Sequence, residues 1–134
     1  MRKLGSSYPS SMRSFLFVGA GGAVGSVLRY WVTRMWPATG VGFPLGTFVV
    51  NVAGSAVLGF LVGYLGSSAH PDVRLGLFVG VLGGFTTFST FAVESGSLFR
   101  GGFAGTATLY IVLSVIVGLT VAVVGVQAGE ILAR

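Results

Sequence analysis

Cysteine is absent from the 134 residues. Its absence removes disulfides, thiolate metal sites and cysteine nucleophiles together. Charge is almost as scarce: 8% of the residues are charged, with three acids and one histidine. A soluble domain carries roughly 25% charged residues and needs a polar exterior. This composition cannot cover a surface in water, so lipid must solvate it. So few acids form no metal-ligand cluster, nucleophile–base pair or phosphate loop, and the chain is not expected to be an enzyme. The net charge of +5 would suggest nucleic acid in a soluble protein. Here the basic residues mark the ends of apolar runs instead of clustering, which excludes nucleic acid as a partner.

What is plentiful is apolar sequence, 53% of the chain, and glycine, 23 residues without a collagen-like period. Glycine is common where membrane helices pack closely. Four apolar runs approach the roughly 20 residues a bilayer crossing requires. They predict helices over residues 14–35, 44–65, 75–98 and 103–127, in one all-α transmembrane unit of residues 1–134. The first run ends at Trp36-Pro37, and Pro44 suits a helix start. The connectors are short, so consecutive helices are antiparallel neighbours. Ahead of them runs a basic tail with Arg2, Lys3 and Arg13. The apolar character continues past Gly25 to Leu28, longer than a signal core needs, so the first run reads as a retained helix.

Orientation is weakly specified. With four spans, Arg2, Lys3, Arg13, Arg74 and Arg134 share one side, against Arg29, Arg34 and Arg100 on the other. This is a small bias under the positive-inside rule, so insertion either way up is open. Four thin helices also enclose little room for a pore, which points to an oligomer. Gly21 with Gly25, Gly59 with Gly63, and Gly80 with Gly84 are small-xxx-small pairs and mark close helix packing.

The stretch Gly83-Gly84-Phe85-Thr86-Thr87-Phe88-Ser89-Thr90-Phe91 departs from this lipid-like pattern. It crowds two glycines, four hydroxyls and three aromatics into the third run. Paired glycines loosen a helix and hydroxyls bond backbone locally, so the third helix is expected to break here, mid-membrane. Broken backbone at that depth survives only when buried in protein or lining an aqueous path. Its half-helix ends then offer N–H and C=O groups to ions.

Few other polar residues lie in the runs. Thr47, Asn51 and Ser55 step by four and share one helix face, and Asn51 offers an N–H donor to an anion. Tyr110 and Ser114 are also four apart, and their hydroxyls could equally return to their own backbone. Arg29 reads first as a snorkelling anchor beside Tyr30 and Trp31, and second as an anion-attracting charge in a vestibule. Glu94 follows the hydroxyl-rich stretch by a turn and could meet an arginine, a vestibule or water. His70 reads as a solvated loop residue. A lining of hydroxyls, an amide and aromatic edges suits a small anion, because neutral donors replace its water without holding it too tightly. The same groups fit a neutral solute or a cation, so chemistry alone leaves the substrate open.

In order along the chain stand Gly21-Gly22 with Gly25 and Arg29-Tyr30, then Phe43-Pro44-Leu45-Gly46-Thr47 with Asn51 and Gly54-Ser55. The third block is Gly83 to Phe91 with Glu94, and the fourth is Tyr110 with Ser114. In these blocks the chain resembles the Fluc (CrcB) family of bacterial fluoride channels, across all four spans. The resemblance implies an antiparallel, dual-topology dimer, of like chains or of paralogues, with two fluoride pores in the bacterial inner membrane. Phe88 and Phe91 would contact fluoride, Asn51, Ser89 and Thr90 would be polar pore residues, and Tyr110 and Ser114 a polar track. Arg29 and Glu94 would lie at a vestibule. A structural sodium ion would sit at the dimer centre on the backbone carbonyls of Gly83 and Thr86. Ser26, Ala92 and Gly118 depart from the family pattern and leave the exit route open. The implied activity is passive fluoride export that limits toxicity. A small multidrug exporter would need a carboxylate in its first helix, which is missing. An inert structural subunit would leave the third block without a purpose.

Overall fold

The computed structural model describes residues 12–37, 42–66 and 68–134. Arg2 and Lys3, and parts of the first two connectors, lie outside the described residues. Among the described residues every regular element is helical. Helix α1 is Met12–Met35 and α2 is Leu45–Leu65. Helix α3, residues 71–85, joins a first turn at Pro71–Val73, a π-helical stretch at Arg74–Leu82 and a last turn at Gly83–Phe85. Helix α4 is Phe88–Arg100 and α5 is Ala104–Leu132. Four segments are long and apolar enough to cross a membrane: α1, α2, Pro71–Arg100 and α5. The chain is a multi-pass membrane protein.

The third segment starts four residues ahead of its apolar run, for a capping reason. His70 Nδ1 accepts from the Asp72 N–H at 3.3 Å, Pro71 takes the first helical position, and Asp72 pairs with Arg13 at 2.8 Å. Proline suits that position because its missing N–H would have had no helical partner. The pair ties the first turns of α1 and α3 together outside the apolar region. Helix α5 runs on past Gln127 to Leu132, with Gly129 packed against the backbone of Phe60 and Tyr64 on α2 and not ending the helix. Between α4 and α5 the chain turns in three residues, with Gly102 at φ 84°, a conformation that other residues strain to adopt.

Small residues set the packing. Helix α2 lies against α5 and α3 against α1. A Cβ at Gly59 or Gly63 would collide with the Ala122 or Val126 carbonyl, and one at Gly84 would stand 2.7 Å from the Gly22 carbonyl oxygen. Gly21, Gly25 and Gly80 are filled as tightly by the facing backbone. Such approach is how membrane helices gain dispersion energy without a hydrophobic driving force. The interior is correspondingly small: Val50 is fully buried, and Ala107 and Tyr110, also fully buried, form a cluster with Leu98 against which Phe43, Phe48 and Phe91 pack. Meanwhile Phe15, Val27, Ile116 and Leu119 stand exposed. This inside-out distribution is stable where hydrocarbon or another subunit replaces water.

Candidate functional site

Thr86 and Thr87 are extended, at φ −79°, ψ 155° and φ −149°, ψ 111°. Their side chains account for the geometry. The Thr86 hydroxyl donates to the Leu82 carbonyl at 3.0 Å, closing the end of α3. The Thr87 hydroxyl accepts from the Thr90 N–H at 3.2 Å, capping the start of α4, and donates to Thr90 Oγ1 at 2.9 Å. Threonine is a favoured residue for such a cap. Asn51 of α2 completes the arrangement from outside. Its Oδ1 accepts from the Thr87 N–H at 2.8 Å, and its Nδ2 donates to the Thr87 carbonyl at 3.0 Å.

These bonds redirect two backbone donors. In a continuous helix the Thr87 N–H would serve the Gly83 carbonyl and the Thr90 N–H the Thr86 carbonyl. Here the first goes to Asn51 and the second to the Thr87 hydroxyl. Gly83 and Thr86 therefore lose those helical donors to their carbonyls.

Two cavities flank this point, and Thr87 lines both. The outer one, about 360 Å³, is bounded by Arg29, Tyr30, Thr33, Thr47, Thr90 and Glu94. Arg29 and Glu94 thus face one space, with no salt bridge between them. The inner one, about 310 Å³, is bounded by Asn51, Ser55, Thr86, Phe88, Phe91 and Ser114. The Ser114 hydroxyl oxygen is buried there without a hydrogen-bond partner. A buried hydroxyl left so is costly, and its O–H is a donor for whatever acceptor enters.

Glu94 is held from both neighbours. Oε1 accepts from the Thr47 hydroxyl at 2.9 Å and Oε2 from the Tyr110 hydroxyl at 2.8 Å. This joins α2, α4 and α5 through one carboxylate. The Tyr110 ring continues the network in apolar form, 5.2 Å from Phe91 and 5.2 Å from Phe43, with Phe88 5.6 Å beyond Phe91. The aromatic row thus runs from the core to Phe88, which is 79% exposed. Tyr110→Phe keeps the ring and deletes the donor to Glu94. It is expected to lower stability by about 1.5–3 kcal/mol, read as a lower thermal midpoint of the purified protein; an unchanged midpoint would mean the carboxylate does not need this partner.

The residues singled out in the sequence are therefore distributed unevenly. Asn51, Phe88, Phe91 and Ser114 share the inner cavity, while Arg29, Thr90 and Glu94 share the outer one. Tyr110 is fully buried against Glu94 and lines neither. Ser89 is exposed, its hydroxyl 3.4 Å from that of Thr87. Gly83 is exposed and Thr86 half-buried. Thr87 was not singled out in the sequence, although it bridges both cavities. The available signal was its spacing from Thr90, that of a helix cap. Thr47 was marked only as a member of a polar face, yet it is a direct partner of Glu94.

Comparison with known proteins bears on this geometry. The family described as "CrcB-like protein, Camphor Resistance (CrcB)" matches residues 16–126. "Fluoride-specific ion channel FluC 2" of Nitrobacter hamburgensis is 44% identical over 125 residues, covering 90% of this chain and 97% of that protein. "Fluoride-specific ion channel FluC" of Chlorobaculum tepidum is 47% identical over 110 residues, covering 81% and 87%. The protein of the same name from Chlorobium phaeobacteroides is 39% identical over 125 residues, covering 92% and 98%. With the match running through all four spans and both cavities, the chain belongs to the CrcB-like family.

Proposed function

We propose that this chain is a subunit of a fluoride-selective channel that lets cytoplasmic fluoride leave passively and so limits its toxicity. The observation that carries the reading is the inner cavity, where an unpartnered Ser114 hydroxyl lies with Asn51 and the rings of Phe88 and Phe91. A small anion gives up strongly held water and needs donors in return. Ser114 has a free O–H, and Asn51 has a second N–H beyond the one given to Thr87. Aromatic ring edges carry the positive part of the quadrupole and add to these. The cavity has no fixed cation among its lining residues, so an ion entering it can leave again. Arg29 stands in the outer cavity with Glu94, so the one arginine on this route lies apart from the donors of the inner cavity. The names of the relatives agree with this chemistry.

The working unit is an antiparallel dimer with two pores, of like chains or with a paralogue, in the bacterial inner membrane. The exposed Phe88 and the apolar exterior support a second subunit and lipid as its surroundings. The extended pair Thr86-Thr87 is the break in the third span, placed at mid-membrane. Structural sodium at the dimer centre fits the same residues: the Gly83 and Thr86 carbonyls have lost helical donors, and a hard cation takes such oxygens. The Gly83 and Thr86 carbonyls would hold it, and when bound it would supply positive charge beside them and help tie the subunits together. Among the described residues no His, Cys, Asp or Glu cluster competes for a metal.

Passive conduction is tested in liposomes loaded with potassium fluoride. Adding a potassium ionophore lets potassium leave with fluoride and makes the interior negative, which should drive fluoride efflux, and a pH gradient imposed without any ionophore should not start it. Efflux that tracked a proton gradient and ignored the potential would replace the channel with a coupled exporter.

A further inference from the structure

Gly54 is buried one turn beyond Asn51 on α2, facing the extended pair from the same side. A Cβ there would overlap Thr86 Cγ2 and stand 3.3 Å from Phe85 Cδ1. Thr86 cannot easily turn away. Its Cγ2 is fixed on a β-branched carbon, and its hydroxyl is committed to the Leu82 carbonyl at 3.0 Å. Rotating the methyl out sacrifices that bond; keeping the bond moves the backbone of Thr86. Thr87 follows in either event, and Thr87 is held on both polar atoms by Asn51.

We propose that Gly54 is a positioning residue: its missing side chain is the recess for the Thr86 methyl that sets where the extended pair sits. Through that pair it fixes the Thr86 carbonyl, the start of α4 and the inner-cavity ring of Phe88. The inference deepens the channel reading and rests on it. Helix propensity opposes the expected result, because alanine favours a helix over glycine. A loss on Gly54→Ala therefore does not come from α2 itself, and because Gly54 also lines the inner cavity, the change at Thr86 is what separates the contact from a narrowed cavity.

The test is a double-mutant cycle on the full chain in liposomes, with fluoride efflux normalised to folded protein recovered by size exclusion. Gly54→Ala lowers efflux at least about tenfold, the scale of an overpacked site. With Thr86→Ser already made, the methyl is gone, and the same glycine change lowers efflux less than about threefold. Equal penalties in the two backgrounds, or native efflux from Gly54→Ala, overturn the proposal. If Thr86→Ser is itself silent, the cycle is read in thermal midpoints: a drop with threonine and none with serine supports the contact, and equal drops overturn it. A native protein that moves no fluoride counts against the channel reading, while the midpoint cycle still decides the role of Gly54.

Discussion

Asn51→Ala is expected to lower fluoride efflux by at least about a hundredfold. The substitution removes both partners of Thr87, whose N–H and carbonyl bond Asn51 at 2.8 and 3.0 Å. Each backbone group left unpaired in a dry setting costs about 1–3 kcal/mol, and about 1.4 kcal/mol corresponds to a tenfold change. The extended pair relaxes, and the inner cavity also loses the second N–H of the amide. Asn51→Asp separates these effects. Its oxygen still accepts from the Thr87 N–H, so more of the fold survives, but its negative charge repels an entering anion. Efflux should be lost in both variants, with the thermal midpoint falling further for alanine. Native efflux from Asn51→Asp would remove Asn51 from the ion path and leave it a purely structural role.

Phe88→Ile and Phe91→Ile are each expected to lower efflux at least about tenfold, equivalent to about 1.4 kcal/mol. Isoleucine keeps an apolar side chain and deletes the ring edge, so the change bears on anion contact more than on hydrophobicity. The two positions differ in a useful way. Phe91 packs on Tyr110 at 5.2 Å, so its replacement also disturbs the core. Phe88 is 79% exposed in the single chain, so isoleucine there costs the subunit little packing. Loss of efflux from Phe88→Ile with an unchanged thermal midpoint would therefore point to the ring itself. Native flux from both variants would remove the aromatic contacts from the proposal.

The four spans were legible in the sequence because bilayer thickness imposes a run length that composition cannot hide. The special character of residues 83–91 was legible too, since hydroxyls and glycines cluster where lipid-facing residues belong. The polar face Thr47-Asn51-Ser55 was visible as a period of four, but its partners were not. Asn51 binds backbone, and a backbone atom leaves no side-chain signature. Glu94 left three surroundings open because its partners come from α2 and α5. Their register depends on packing between separate helices, such as the Gly59 and Gly63 contacts that set α2 against α5, and no single helix contains that information. Ser114 shows the same limit: its spacing from Tyr110 marks a shared face, and only packing leaves its hydroxyl without a partner. The π-helical stretch Arg74–Leu82 had no signal in its apolar sequence. The Arg13–Asp72 pair joins residues of two separate segments, and each alone reads as an ordinary end charge.

The central claim is fluoride selectivity, and its most direct test is ion release from liposomes holding this protein. Fluoride is followed with a selective electrode, and matched vesicles loaded with chloride serve as the control. The account predicts fast loss of fluoride with chloride retained. Equal loss of both ions contradicts it. So does retention of both, by this chain alone and by the chain co-expressed with a close relative.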